Sequence, residues 1–391
     1  MSRSPFVEVG AESKSKFRQR VIGDTFLSQR IKEENRTVAV LSDGLGSGIK
    51  ASVLSTLTAT MALKFITNHL DIEKAASVIM KTLPVCKERR ISYATFTILD
   101  IYPDLTVNIV EYDNPPFILV RNGLVVPICK KEIIMENEKS RKTTLLISKF
   151  QALKDDRIIF FSDGLNQSGM GKHSTPFGWG IDGVNSSVLQ HINENPYISA
   201  RNLAKTLVDK ALENDGWQCG DDTTCGVIYF RSPRKVLVVT GAPVDQANDK
   251  QLASVFSSFE GKKAICGGTT AKILGRELNK AISVDLRNVH PEVPPHSIMD
   301  GVDLVTEGII TMTKALEYLD KGNIVESFNA AVQLTELLLE SDEITFVVGT
   351  RLNQANQIHL SQNIELRQSV VRRLAATLEQ KYLKSVFIRY T

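Results

Sequence analysis

The clearest change of pattern along this chain falls at Arg231-Ser232-Pro233-Arg234, and it splits the sequence into two folding problems. Before the break, from Tyr93 onward, the period is two: YATFTILDIY, a turn at Pro103-Asp104, LTVNIVEY, then FILVRNGLVVP. Period two means half-buried strands. Asn122-Gly123 between apolar runs supplies the positive φ angles of a type I′ hairpin turn. Consecutive hairpin-like connections predict an antiparallel meander. After the break, short β-branched runs alternate with helical stretches, from KVLVV through KKAIC, VDLVTEG and ITFVVG to SVFIRY. That alternation predicts a parallel or mixed sheet with helices on both faces. A chain of 391 residues also exceeds one compact core, so residues 1–231 and 235–391 are expected to be separate domains.

Composition excludes several classes. A formal charge of +3 is near balance, and the basic pair Arg372-Arg373 reads as a solvated helix face. Nucleic acid is not an expected partner, since backbone phosphates demand a concentrated basic surface. Cys86, Cys129, Cys219, Cys225 and Cys266 are odd in number and contain no C-x-x-C, which argues against a disulfide framework or a zinc ribbon. No apolar run approaches the roughly 18 residues that span a bilayer. The first twenty residues lack an apolar signal core. The expectation is a reduced, cytoplasmic protein with no membrane partner.

Within residues 1–231, Thr37–Leu41 reads as a buried strand running into LSDGLGSG and a helix. That helix is expected to bury Val53, Leu54, Leu57, Met61 and Phe65, which recur at three- and four-residue spacing. A second apolar strand, RIIFF, runs into FSDGLNQSG, and residues 166–183 read as a flap. A third strand follows GDDTT. Asp43, Asp163 and the Asp221-Asp222 pair thus stand at strand ends. A single Asp-Gly is ordinary turn chemistry. Carboxylates crowded together repel unless a cation neutralises them. Oxygen donors without a nearby His or Cys suit Mg²⁺ or Mn²⁺ rather than zinc. Gly44, with no Cβ, leaves its carbonyl free to turn toward a metal. GLGSG also resembles a dinucleotide loop, but its spacing is wrong and no βαβ unit follows.

VIGDTF, LSDGLGSGIKAS, NPPFILVRNG, FSDGLNQSGMG and GDDTT, in this order, resemble the metal-dependent protein phosphatases (the type 2C-like PPM group). The resemblance is closest to the bacterial branch typified by stage II sporulation protein E, SpoIIE, and covers about residues 15–230. It implies an α+β fold, a four-layer α-β-β-α sandwich. It also implies two Mn²⁺ or Mg²⁺ ions: Asp43 bridging both, Gly44 giving a carbonyl to one, Asp163 and Asp221 holding the other. Asp24 would act through water, and Asp222 from behind the ligands. The implied reaction is hydrolysis of phosphoserine or phosphothreonine by a hydroxide held between the cations. The implied partner is a phosphoprotein, with small sigma-factor regulators the first class to try. Arg18, Arg20 and Arg30 lie near the place where larger relatives grip phosphate, and each also reads as a surface charge. A non-catalytic phosphoprotein-binding switch on the same fold is the alternative.

Residues 235–391 match no family of known activity and read as a smaller α/β domain, regulatory or ligand-binding. Gly267, Gly268, Thr269 and Thr270 lie between a strand and a helix, a position that suits a small anionic ligand. A glycine turn with a threonine N-cap is the alternative. Asp245, Asp300, Asp303 and Glu307 also lie at strand ends, where open α/β sheets place ligands. His290 and His296 read as loop histidines.

Overall fold

The computed structural model describes residues 5–82, 94–135, 143–173, 175–285, 293–322, 329–351 and 360–391. Cys86 and His290 therefore lie outside the described residues. The chain divides into two compact units, Met1–Ser232 and Pro233–Thr391.

The first unit runs β1 (Phe6–Lys14), β2 (Thr25–Ile31), β3 (Arg36–Gly44), α1 (Ile49–Thr67), α2 (Ile72–Thr82), β4 (Ala94–Ile101) and β5 (Thr106–Tyr112). It continues through β6 (Ile118–Arg121), β7 (Leu124–Val125), β8 (Lys131–Met135), β9 (Thr143–Gln151), β10 (Arg157–Phe161), α3 (Asp163–Asn166), α4 (Gly180–Glu194), α5 (Ala200–Asn214) and β11 (Thr223–Arg231). Two antiparallel sheets result, in the orders β1-β11-β10-β6-β7 and β2-β3-β4-β5-β9-β8. Their inner faces meet in one core that includes Leu41, Leu99, Ile109, Leu119, Phe160 and Phe230. Helices α1 and α2 cover the outer face of the second sheet through Ala62, Ile66 and Ile79. Helices α4 and α5 cover the other through Val184, Val188 and Leu207. The sequence of layers is α-β-β-α.

Four sequence expectations change here. The strands are antiparallel, but they are not one meander: β5 pairs with β9, whereas the β6–β7 hairpin belongs to the opposite sheet. The chain changes sheets at Asp113–Pro116, where Asp113 takes a φ of +53° and two prolines offer no N–H. The buried Glu111 carboxylate then accepts the Phe117 N–H at 2.8 Å, fixing the crossing. The hairpin itself is as read, with φ of +51° at Asn122 and +73° at Gly123.

Helix α1 buries a different face from the one its large residues suggested. Ala51, Ser55, Thr58, Ala59, Ala62, Leu63 and Ile66 pack inward, while Val53 is 60% and Leu57 46% exposed. Small residues let the helix lie close on β3; a Cβ added to Gly44 would sit 2.2 Å from the Ala51 carbonyl oxygen. Contrary to the expectation that no segment is long and apolar enough to cross a bilayer, α1 has both the length and the composition. The flap is shorter than read. Gly169 N–H donates to Asp215 at 2.6 Å, the Thr175 hydroxyl donates to the Gly169 carbonyl at 2.8 Å, and α4 begins at Gly180.

The second unit runs β12 (Lys235–Thr240), α6 (Asp249–Ser258), β13 (Lys262–Cys266), α7 (Gly268–Leu278), β14 (Ile282–Val284), β15 (Ser297–Met299) and β16 (Leu304–Thr306). Then come α8 (Ile309–Lys321), α9 (Ala330–Glu340), β17 (Glu343–Val348), α10 (Leu360–Tyr382) and β18 (Ser385–Tyr390). Its mixed sheet has the order β14-β15-β16-β13-β12-β17-β18, parallel from β16 to β18. One apolar cluster lies under α8, α9 and α10, another under α6 and α7.

Candidate metal centre

The sequence of the first unit places four acidic segments at one end of its two sheets. Asp43 is the penultimate residue of β3, opposite Thr95 of β4. Asp24 immediately precedes β2, and Asp163 opens α3 directly after β10. Asp221 and Asp222 lead into β11. Glycines let these segments come together. A Cβ on Gly164 would lie 2.2 Å from the Asp222 carbonyl oxygen, and one on Gly23 would lie 2.7 Å from Asp222 Oδ2.

Asp43 is the electrostatic focus. Burial and the charges of Asp24, Asp163 and Asp221 push its carboxyl up to about 10. Asp24 is pushed up to about 6, chiefly by burial, against hydrogen bonds from Ser162 and Thr224 that favour its charged form. Asp163 is also raised, by burial first and then by Asp221. The charges of these carboxyls thus oppose one another, and each favours the protonated form of its neighbour.

The surrounding polar groups hold this arrangement in place. Ser162 Oγ donates to Asp24 Oδ2 at 2.7 Å, and Gln167 Nε2 donates to Asp163 Oδ2 at 3.0 Å. The Lys16 N–H donates to Asp222 Oδ1 at 3.0 Å, which leaves the buried Oδ2 of Asp222 without a partner. Oδ1 of Asp24 is likewise buried and unpartnered. Asp221 is more open; its Oδ1 accepts from the Asp222 N–H at 3.0 Å and lies 3.5 Å from Lys16 Nζ.

Buried oxygens without donors, beside a carboxyl raised by burial and by three like charges, form a site with a deficit of positive charge. The donors are hard oxygens, so the residues present fit Mg²⁺ or Mn²⁺. Among the described residues, however, no three His, Cys, Asp or Glu side chains are drawn together as a finished ligand cage. Gly44 is buried under α1, and its lack of a side chain is required by the contact with Ala51 whatever its carbonyl does.

Lys16 and Ser162 were not singled out by the sequence. Lys16 belongs to the charged stretch after β1 and looks like any surface lysine. Ser162 had a signal, as the serine of the second S-D-G. The arginines near this region lie elsewhere: Arg18 stacks on Phe17, Arg30 stacks on Phe6, and Arg20 is exposed. His173 is exposed in the loop after α3. Cys219 and Cys225 are buried, and burial raises both thiols, so neither has thiolate character.

The family model for stage II sporulation protein E matches residues 33–231, half of the chain. Among solved structures, the phosphatase domain of SpoIIE from Bacillus subtilis is 19% identical, with a TM-score of 0.44, over 59% of this chain and 95% of that one. A second structure, the PP2C phosphatase domain of the same protein with a fragment of its regulatory domain, is 18% identical with a TM-score of 0.46. It is matched over 59% of this chain and 63% of its own. The RsbU and RsbW domains of a Mycobacterium tuberculosis protein are 14% identical with a TM-score of 0.48, over 65% of this chain and 69% of that one. No curated protein matches the chain.

Proposed function

Because this chain belongs to the stage II sporulation protein E family, we propose that its first unit is a divalent-metal-dependent phosphatase acting on phosphoserine or phosphothreonine in a protein. The observation that carries the reading is the pair of buried, unpartnered carboxylate oxygens, Asp24 Oδ1 and Asp222 Oδ2, beside the half-buried Asp43, whose carboxyl is raised by burial and by the charges of Asp24, Asp163 and Asp221. In this reading Asp43, Asp163, Asp221 and the Gly44 carbonyl would hold two Mn²⁺ or Mg²⁺ ions, with Asp43 serving both. Asp24 acts through water and Asp222 orients its neighbours. Two such ions, when bound, acidify a water and offset charge on the phosphoryl oxygens.

The chain's own residues do the positioning. Ser162 fixes the rotamer of Asp24, and Gln167 fixes that of Asp163. The Lys16 ammonium beside Asp221 offers a positive charge to an incoming phosphoryl group, the role left vacant by Arg18, Arg20 and Arg30. The partner is a phosphoprotein, with a small sigma-factor regulator as the class to test first. The second unit has a regulatory or ligand-binding role. The four described cysteines are all free, which suits a cytoplasmic setting.

The experiment is phosphate release from a phosphoserine protein and from p-nitrophenyl phosphate. Wild type in Mn²⁺ should turn over, whereas wild type in EDTA, Asp43→Asn and Asp163→Asn should not. Undiminished release in EDTA would refute a metal-dependent centre.

A further inference from the structure

The second unit brings three glycine loops to the carboxyl ends of its parallel strands, a place that the phosphatase reading does not use. Its parallel strands are ordered β16-β13-β12-β17-β18. The chain therefore winds outward from β12 through β13 to β16, then crosses to β17 on the other side. In sheets of this kind ligands bind beyond the carboxyl ends of the strands, beside such a reversal. Here those ends carry three glycines in conformations that other residues rarely adopt: Gly241 after β12 (φ +83°), Gly267 after β13 (φ +141°) and Gly308 after β16 (φ +141°).

The glycine loops converge. A Cβ on Gly308 would lie 3.3 Å from the Gly267 Cα, and the Gly267 N–H donates to the Thr306 carbonyl at 2.9 Å. Gly267 and Gly308 are the N-caps of α7 and α8, and neither helix has a side-chain cap. Both helices thus aim uncapped N–H groups and the positive ends of their dipoles from adjoining loops. The N-cap of α7 is Gly267, not a threonine; the helix starts at Gly268 and includes Thr269 and Thr270.

Two further observations point to a ligand. Thr270 is 1% exposed, its hydroxyl has no hydrogen-bond partner, and it lies 3.1 Å from where a Cβ on Gly267 would stand. The buried hydroxyls of Thr240 and Thr311, at the end of β12 and in the first turn of α8, are also without partners. Arg367 of α10 places Nη1 2.9 Å from the Cβ position of Gly241 and feels the charge of Glu307, so its guanidinium lies beside the same loops. Burial works against its charge, yet no hydrogen bond or ion pair joins it to another described residue. A half-buried guanidinium that no hydrogen bond or ion pair to the described residues completes is costly unless an anion does so.

We propose that the carboxyl ends of β12, β13 and β16, with Arg367 and Thr270, bind the phosphate group of a small phosphate ester. The N-termini of α7 and α8 would receive the phosphoryl oxygens, and Arg367 would neutralise their charge. Glu307, exposed at the rim, favours a ligand that brings hydroxyl donors over a bare anion.

The test is isothermal titration of the full chain with AMP and, separately, with inorganic phosphate. The protein carries Asp43→Asn and is held in EDTA, so that the carboxylate centre of the first unit contributes nothing. Saturable binding of AMP tighter than phosphate identifies an ester with sugar hydroxyls; equal affinities identify the phosphate group alone as the ligand. In either case Arg367→Gln should weaken binding about tenfold or more, and Thr270→Val several-fold. Circular dichroism of each variant reports whether it has kept its fold. Absence of heat with both probes at millimolar concentration, or a folded Arg367→Gln that binds like its parent, overturns the proposal.

Discussion

Ser162 Oγ donates a 2.7 Å hydrogen bond to Asp24 Oδ2 and accepts the Thr224 N–H at 2.9 Å, so one hydroxyl ties an acidic ligand candidate to the backbone of β11. Supports of this kind fix ligand orientation and tune affinity. Ser162→Ala should therefore weaken Mn²⁺ activation about 10–100-fold. A Mn²⁺ titration of phosphate release, with Ser162→Thr as the conservative control, checks it. Unchanged activation in the alanine variant would mean that Asp24 is held by other contacts.

The raised carboxyls predict how stability varies with pH. Asp43, at about 10 in the folded protein against 3.8 ordinarily, retains a proton that the unfolded chain has lost. Asp24, at about 6, does the same over a narrower range. At these two carboxyls the folded state thus binds more protons between about pH 4 and 10, so their contribution lowers stability as pH rises through that window. In EDTA, thermal melting should be lower at pH 8.5 than at pH 6, and Asp43→Asn should flatten the difference. Mn²⁺ should restore more stability at the higher pH, because binding displaces protons. A metal-free protein that grows more stable toward pH 8.5 would contradict this.

Gly44→Ala tests the close approach of α1 to β3. With the Ala51 oxygen 2.2 Å from the added carbon, the helix must shift. The expected cost is about 1–3 kcal/mol in denaturant unfolding. A loss of metal affinity beyond that would show that the shift reaches Asp43. Full stability would mean that α1 can slide without penalty.

Arg36 and Asp100 form a two-pronged ion pair across β3 and β4, with both contacts at 2.7 Å and both side chains buried. Removing one partner leaves an uncompensated charge. Asp100→Ala should cost about 3–5 kcal/mol in urea unfolding, with a much smaller loss in Arg36→Leu/Asp100→Leu. Equal losses in single and double variants would place the energy in packing instead.

How much of this was legible depends on the range of the interaction. The type I′ hairpin at Asn122-Gly123 was, because two adjacent residues determine it. The strand-end placement of Asp43 and Asp163 was too, because each follows its own apolar run. The sheet change at Asp113–Pro116 was not, since a hairpin and a crossing begin with similar turn residues. Nor was the inward face of α1, where small residues win through close approach while Val53 and Leu57 stay exposed. Lys16 reaches Asp221 across 205 positions of sequence, and nothing local marks it.

The central claim is that Asp43 organises a two-cation centre on which phosphate release depends. Its most direct test measures bound Mn²⁺ by equilibrium dialysis beside phosphoserine hydrolysis in the same samples, for wild type and Asp43→Asn. Wild type should bind two ions and turn over, with both the second ion and turnover lost in Asp43→Asn. Wild-type turnover by Asp43→Asn, or hydrolysis by a protein that binds no Mn²⁺, would contradict it.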